Sequence, residues 1–342
     1  MYPLESNGVA NRTGPLAQPW SRWIGRSVAT LIVLMMVYVA ATLWSARGAL
    51  STAIRSFPLE VLPSVLALVL LGLSLRALRW HYYVRRLAWP VPLGRSVLVF
   101  LVSFAFTATP GRAGEAIKAV LLRSRDQVPI SAGVGALLVE RLGDLIAVLI
   151  LSVGSLGLMT GATRYLLPAA ILIAALTLFA GVRHIHEPLL ARAARVRSLR
   201  GIAQRVSNSL TASRELLKPA PLLIGVGIAL MAWSCEAAAF YRLARDFGIG
   251  IGPWQASSIF GAATLAGALS ALPGGLGGFE VTMVLLLHHL GFAVSAAMPP
   301  VMIFRLCTLW FGILIGVLSL LAWILLVRSA APRDALVSGE IQ

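Results

Sequence analysis

The sequence predicts an all-α polytopic integral membrane protein with about six full transmembrane spans and two re-entrant hairpins built from broken helices. Hydrophobic residues make up 58% of the 342 positions and charged residues only 12%, whereas soluble domains carry about 25% charged residues. Several apolar runs approach or exceed the roughly 20 residues that a helix needs to cross the hydrocarbon core of a bilayer. Two further apolar regions are interrupted by proline and glycine, and these predict the hairpins.

Uninterrupted apolar runs predict the full spans, which cover approximately residues 24–45, 59–77, 131–159, 165–183, 219–241 and 297–327. The first run ends in LWSARGA, which is similar to a signal-peptidase site. It is longer than the roughly 7–15 apolar residues of a signal peptide. We therefore expect a retained span after a flexible cytoplasmic N-terminus of residues 1–22. A single transmembrane domain of residues 23–328 and a short cytoplasmic tail of residues 329–342 complete the predicted organisation.

The two interrupted regions are residues 93–122 and 253–290. Their breaks contain Pro110, Gly111 and Gly114 in the first region, and Pro273, Gly274, Gly275, Gly277 and Gly278 in the second. The arms after the breaks have only about 12 residues, which is short for a span. Non-helical backbone at membrane depth is tolerated only where protein or a watery cavity satisfies its polar groups. Re-entrant hairpins are therefore predicted.

Charge predicts the orientation of the chain. Lys and Arg together number 29 against 13 Asp and Glu, an excess typical of cytoplasmic loops that here does not indicate nucleic acid. The basic segments 76–95 and 183–218 and both termini are predicted to be cytoplasmic. The first hairpin ends in the basic LLRSRD and is predicted to open to the cytoplasm, whereas the second lacks Lys and Arg at its end and is predicted to open outward. The segment 183–218 is either an amphipathic helix on an anionic leaflet or a solvated basic loop.

One order of motifs occurs twice along the chain: Arg-x-x-Arg, then Pro-Gly-x-x-Gly, then Glu, and about 25 residues later Arg. It is carried by Arg76, Arg79, Glu115 and Arg141 in the first copy and by Arg242, Arg245, Glu280 and Arg305 in the second. Because the loop charges place the two hairpins on opposite sides, the sequence predicts an inverted-topology repeat with halves of about 59–159 and 219–327. In transporters with such repeats, broken helices form the site near the bilayer midplane.

Ionisable residues inside predicted spans are costly and usually face a cavity or a partner. The candidates for headgroup binding or gating are Arg112, Glu115, Lys118, Glu140, Arg141, Asp144, Glu280 and Arg305. Glu115 and Lys118 are three positions apart and are expected to pair on one helical face, and Glu140 and Asp144 share a face. The pairs Glu115–Arg141 and Glu280–Arg305 either only hold the hairpins or also serve the site.

Arginine suits an anionic headgroup, because its planar guanidinium binds phosphate with two hydrogen bonds. The backbone N–H groups of the breaks are expected to add to this attraction. Arg76, Arg79 and Trp80, in RALRWHYYVRR, are predicted to be interfacial anchors that contact lipid headgroups. Glu236 stands alone in MAWSCEAAAF, where it makes a helix–helix hydrogen bond, lies at the interface, or serves the site. No motif for catalysis, a cofactor or a metal site is recognised.

The combination of RALRW, PGRAGEAIKAVLLR, VERLGDLIAVLIL and LPGGLGGFE followed by FRL resembles the lysylphosphatidylglycerol synthase transmembrane region, also called the flippase-like domain family. The resemblance covers roughly residues 25–328. It implies the membrane half that moves aminoacylated lipid between leaflets, without the aminoacyl-transferase domain to which it is fused in other members.

The resemblance and the broken helices together predict a lipid translocase of the cytoplasmic membrane that is not an enzyme. Its expected partners are membrane lipids: a phospholipid, a glycolipid, a hopanoid or a polyprenyl-linked lipid. The alternatives are a membrane enzyme that uses Glu115 or Glu280 as a base, and a non-transporting accessory protein that binds lipid-biosynthesis enzymes.

Overall fold

The computed structural model describes residues 59–153, 163–196 and 198–329, and its regular secondary structure is helical throughout. The α-helices are α1 (Leu62–Arg86), α2 (Leu93–Ser103), α3 (Ile117–Asp126), α4 (Ile130–Ser152), α5 (Thr163–Gly181), α6 (Arg183–Ala193), α7 (Arg200–Ala212), α8 (Arg214–Leu217), α9 (Pro219–Asp246), α10 (Pro253–Leu269), α11 (Gly278–His289), α12 (Val294–Arg305) and α13 (Phe311–Ser329). A π-helical turn, Leu306–Trp310, joins α12 to α13.

Within the described ranges, three helical stretches are long and apolar enough to cross a membrane: Leu59–Arg86, Pro219–Asp246 and Val294–Leu326. A fourth candidate is the pair α5 and α6, which bend by 86° at the break between them. The predicted spans 131–159 and 165–183 fall on α4 and α5, and the predicted span 24–45 lies outside the described residues. These helices make the chain a multi-pass membrane protein.

Both predicted helix breaks are present. Between α2 and α3 the chain forms short 3-10 turns, at Phe104–Phe106 and Pro110–Ala116. Between α10 and α11 it forms a 3-10 turn at Pro273–Gly275, where Gly274 and Gly275 have φ of 62° and 69°. Glycine adopts this left-handed conformation without a steric penalty. The two breaks lie against each other.

Helices α1 and α9, which carry the two Arg-x-x-Arg motifs, pack against each other more extensively than any other pair of described helices. Both begin with proline in the first turn, where its missing N–H has no helical partner to lose. A small residue allows the close approach: a Cβ atom built on Gly72 would lie 2.9 Å from the carbonyl oxygen of Ala232. This contact brings the polar residues of the two helices together.

The second half of the chain has an aromatic core. Phe260 and Phe304 meet edge to face with their ring centroids 5.8 Å apart, and Phe279 stacks on Phe304 at 6.2 Å. Phe240 and Trp233 of α9 extend the cluster. Such aromatic pairs each contribute about 0.5–1.5 kcal/mol beyond burial of their area. The cluster positions α10, α11 and α12 around the second break.

The basic segment 183–218 is helical rather than an irregular loop. It forms α6, α7 and α8, and α7 packs against α4 so closely that Gly135 leaves no room for a side chain beside the Ser209 carbonyl. Apolar side chains of the segment remain exposed, including Leu189, Leu199 and Ile202. The amphipathic alternative therefore describes this segment, and its contact with a leaflet remains a prediction.

Candidate functional site

A cavity of about 390 Å³ lies between the two breaks and is lined by residues of both halves. Its charged and hydroxyl-bearing lining comprises Arg76, Thr107, Arg112, Arg141, Asp144, Glu236, Thr264, Arg305 and Thr308. Most of the remaining wall is apolar and is built by α1, α4, α5, α10 and α13. Three of the arginines proposed from the sequence to attract an anion, Arg112, Arg141 and Arg305, thus share one cavity.

An ion pair holds the first break to α4, as the repeated spacing predicted. Arg141 Nη2 donates a hydrogen bond to Glu115 Oε2 at 2.7 Å, and the Glu115 side chain is only 3% exposed. Arg141 also lies 3.5 Å from Asp144. With Glu140 at 3.8 Å, the guanidinium lies within 4.0 Å of three carboxylates, while its side chain stays 31% exposed.

The second half contains the equivalent pair, which was also predicted. Arg305 Nε donates to Glu280 Oε1 at 2.6 Å, and Arg305 Nη2 donates to the Gly274 carbonyl oxygen at 2.7 Å. Glu280 in turn accepts a hydrogen bond from the Gly277 N–H at 2.7 Å, which caps the first turn of α11. The pair thus fixes both sides of the break and the start of the helix that follows.

The predicted pairing of Lys118 with Glu115 is wrong. Lys118 Nζ lies 2.5 Å from Glu140 Oε2 and 4.4 Å from the centroid of the Trp80 ring. Its side chain has no exposed surface, because α3 packs against α4 at this point and turns Lys118 into the interior. Lys118 and Glu140 are therefore buried behind the cavity wall and do not line the cavity.

The prediction that Arg76, Arg79 and Trp80 lie exposed at the membrane interface is also wrong, and Arg76 instead lines the cavity. Arg79 and Trp80 have no exposed surface and Arg76 has 7%. Arg79 Nη2 donates to Asp144 Oδ1 at 2.7 Å and lies 3.6 Å from Glu140. The acidic residues of α4 pair with Arg79 in the interior, and Glu236 of α9 pairs with Arg76. That packing is not visible in the sequence of α1.

Glu236, which stands alone in the sequence, pairs with Arg76 across the contact between α1 and α9. The Arg76 guanidinium also lies over the Trp233 ring, 4.2 Å from its centroid. Trp233 Nε1 donates to Asp144 at 3.1 Å. The pair of Arg76 and Glu236 was missed because its partners are 160 positions apart; the motif repeat offered a signal for Arg76 but none for Glu236.

The charges of the cavity wall and of the residues packed behind it do not cancel. Six cations (Arg76, Arg79, Arg112, Lys118, Arg141 and Arg305) face five carboxylates (Glu115, Glu140, Asp144, Glu236 and Glu280). The least engaged cation is Arg112, whose contact to Glu115 is 3.9 Å long and whose side chain is 33% exposed. The excess of one positive charge favours an anion in the cavity, because opposite charges attract strongly where water is partly excluded.

Several hydrogen-bond donors on the cavity wall strengthen this preference. Arg76 Nε, Arg141 Nε and Thr107 Oγ1 are buried and have no hydrogen-bond partner among the described residues. Buried donors normally have partners, and a phosphate oxygen accepts from both guanidinium and hydroxyl groups. The arrangement is suited to holding an anionic group. In the described part of the chain, no group of three or more His, Cys, Asp or Glu side chains is placed to hold a metal ion.

Comparisons with known proteins agree with the helical architecture. The family model described as the lysylphosphatidylglycerol synthase TM region matches residues 22–316. A UPF0104 membrane protein of Methanothermobacter thermautotrophicus is 25% identical over 319 residues, which cover 85% of this chain and 94% of that protein. A second UPF0104 membrane protein of the same organism is 22% identical and covers 82% of this chain and 89% of its own length. No solved structure matches the chain significantly. The chain therefore belongs to the lysylphosphatidylglycerol synthase TM region family.

Proposed function

We propose that this protein is a translocase of the cytoplasmic membrane that moves a lipid with an anionic or zwitterionic headgroup between the two leaflets. The headgroup enters the arginine-lined cavity and the hydrocarbon chains stay in the bilayer. The observation that carries this proposal is the cavity itself, where Arg76, Arg112, Arg141 and Arg305 form a polar wall continuous with an apolar one. A phospholipid has the same division between a charged head and apolar chains.

The apolar part of the cavity supports a lipid rather than a small soluble anion. Leu172 and Leu176 of α5 line the cavity and are 48% and 43% exposed. Ile315 of α13 lines the same region. A lipid in the bilayer can reach the arginines past these side chains without its chains entering water.

The inverted-topology repeat provides the proposed route between leaflets. In this arrangement the first hairpin opens to the cytoplasm, the second opens outward, and both termini are cytoplasmic. The contact between the two breaks and the equivalent pairs Glu115–Arg141 and Glu280–Arg305 support it. Alternating access by rocking of one half against the other is the usual behaviour of such repeats. Arg112 lies on the first break, and the second break has no equivalent basic residue. We therefore expect the lipid headgroup to be captured from the cytoplasmic leaflet at Arg112.

The test is lipid movement in proteoliposomes made of phosphatidylcholine with a trace of fluorescent phosphatidylglycerol. Dithionite added outside removes the fluorescence of the outer leaflet, and the subsequent decay reports lipid arriving from the inner leaflet. We expect wild type to accelerate this decay, and Arg141→Ala combined with Arg305→Ala to slow it at least tenfold. Arg242→Ala is the matched control, because Arg242 pairs with Asp246 on an exposed surface.

Equal decay with wild type and with empty vesicles would remove the translocase proposal for this lipid. Mass spectrometry of the recovered lipid separates transport from chemistry. A changed lipid mass would favour the membrane-enzyme alternative, whereas an unchanged mass with faster decay supports translocation.

A further inference from the structure

The ion pair between Arg76 and Glu236 lies in the wall of the cavity and links α1 to α9. The two side chains are only 8% and 11% exposed. Arg76 is held over the Trp233 ring, and its Nε has no hydrogen-bond partner among the described residues. The Arg76 guanidinium thus has one nitrogen bound to Glu236 and a buried Nε without a partner, so its pair with Glu236 leaves its hydrogen-bond donors incompletely satisfied.

Glu236 differs from the other buried carboxylates of the site in its number of partners. Asp144 has Arg79 at 2.7 Å and Arg141 at 3.5 Å. Glu115, Glu140 and Glu280 each have a second cation or a backbone N–H. In the part of the chain that the structure describes, Glu236 has one cation within 4.0 Å, and that cation is Arg76.

We propose that the lipid phosphate and Glu236 compete for Arg76, and that Glu236 takes up a proton when the phosphate binds. This inference rests on the proposed function, because it concerns the same cavity and the same ligand. A buried carboxylate that loses its only cation carries an uncompensated charge, which is strongly unfavourable. Protonation removes that charge. The departing lipid returns Arg76 to Glu236, and the proton leaves.

The surroundings of Glu236 favour this outcome over a new ion pair. The other charged groups on the cavity wall are Arg112 on the first break, Arg141 and Asp144 on α4, and Arg305 on α12. Arg141 and Arg305 are held by Glu115 and Glu280. The α5 and α10 residues that line the cavity are uncharged, and the titratable neighbour on α9 is Cys235.

Competition for Arg76 predicts that lipid and proton move together. A phosphodiester lipid carries one negative charge, so one lipid and one proton enter the cavity as a neutral pair. A proton gradient across the membrane would then bias the direction of lipid movement. Proton uptake on binding also determines the pH dependence of lipid affinity. Because the bound state holds one more proton than the free state, the affinity decreases as pH rises, by up to about tenfold per pH unit.

The experiment is calorimetric titration of the purified full chain with dioctanoyl phosphatidylglycerol in buffers of different ionisation enthalpy. A phosphodiester does not titrate near neutral pH, so protons taken up on binding come to the protein. We expect wild type to take up close to one proton per lipid and Glu236→Gln to bind lipid with no proton uptake and with an affinity that does not change between pH 6 and pH 8. Glu215→Gln, which alters an exposed carboxylate bound to Lys218, should behave as wild type does.

If Glu236→Gln alone prevents folding, the double variant Arg76→Gln with Glu236→Gln replaces it, because it removes both charges of the pair. We expect the double variant to bind lipid more weakly than wild type and without proton uptake. Lipid binding by wild type without proton uptake, or equal uptake by wild type and a variant lacking Glu236, would overturn this inference and leave the translocase proposal intact. Absence of binding by folded wild type would reject both proposals for phosphatidylglycerol.

Discussion

At the scale of single residues, Lys118 illustrates a charge that holds the fold and does not face the cavity. Its ammonium group is buried against Glu140 and the Trp80 ring. Removing one partner of a buried ion pair leaves the other charge uncompensated, at a cost of about 3–5 kcal/mol.

We therefore expect Lys118→Met to lower the thermal unfolding midpoint strongly in detergent, whereas Lys218→Met, which alters an exposed pair with Glu215, should leave it nearly unchanged. Circular dichroism during heating provides the comparison. Equal midpoints for the two variants would show that Lys118 does not have the structural role assigned to it.

The residue scale is also where sequence reasoning was least complete. The pairs of Glu115 with Arg141 and of Glu280 with Arg305 could be predicted, because each pair keeps its spacing in both copies of the motif. The partners of Arg76, Arg79 and Lys118 could not, since they depend on which faces of α1, α3 and α4 meet. An aromatic and basic stretch such as RALRWHYYVRR is typical of a membrane interface. Only the acidic residues of α4 and α9 that pair with Arg79 and Arg76 show why these two arginines are buried.

At the scale of elements, the second break depends on glycine for both conformation and space. Gly275 has φ of 69°, and a Cβ atom on it would lie 3.2 Å from the Cα atom of Gly267. Gly248 has a similar φ of 73° with nothing within 4 Å of the equivalent atom. The two positions separate the conformational cost of a side chain from its steric cost.

Gly248→Ala should lower the free energy of unfolding by about 1 kcal/mol, the usual cost of a left-handed residue other than glycine. Gly275→Ala should cost more and should also slow lipid movement, because α10 must move away from the break. Chemical denaturation and the dithionite assay measure the two effects. Similar losses of stability and unchanged transport in both variants would contradict the close packing at the break.

The breaks themselves were predictable, because Pro110-Gly111 and Pro273-Gly274 interrupt apolar runs that are otherwise long enough for spans. The π-helical turn after Arg305 was not. Such turns occur frequently at functional sites, but Leu306–Trp310 carries no residue that marks one. The pattern of apolar residues through Leu306–Trp310 is the one that a continuous α-helix would also show. The sequence therefore does not predict the π-helical turn, and we attribute the turn to tertiary packing.

At the scale of the whole molecule, the inverted repeat predicts that the two hairpins are reached from opposite sides of the membrane. Ser124 follows the first break and His289 follows the second, and both are exposed. In a background with Cys235 and Cys307 replaced by alanine, Ser124→Cys should react with a membrane-impermeant maleimide only from the cytoplasmic side. His289→Cys should react only from the opposite side. Labelling of both positions from one side would disprove the inverted arrangement.

The central claim is that the cavity between the two breaks holds an anionic lipid headgroup. Native mass spectrometry of protein released from its own membrane tests it most directly. We predict that wild type and Arg242→Gln retain one phosphate-bearing lipid per chain, and that Arg112→Gln combined with Arg141→Gln loses it. Equal retention by all three proteins, or no such lipid on folded wild type, would contradict the claim.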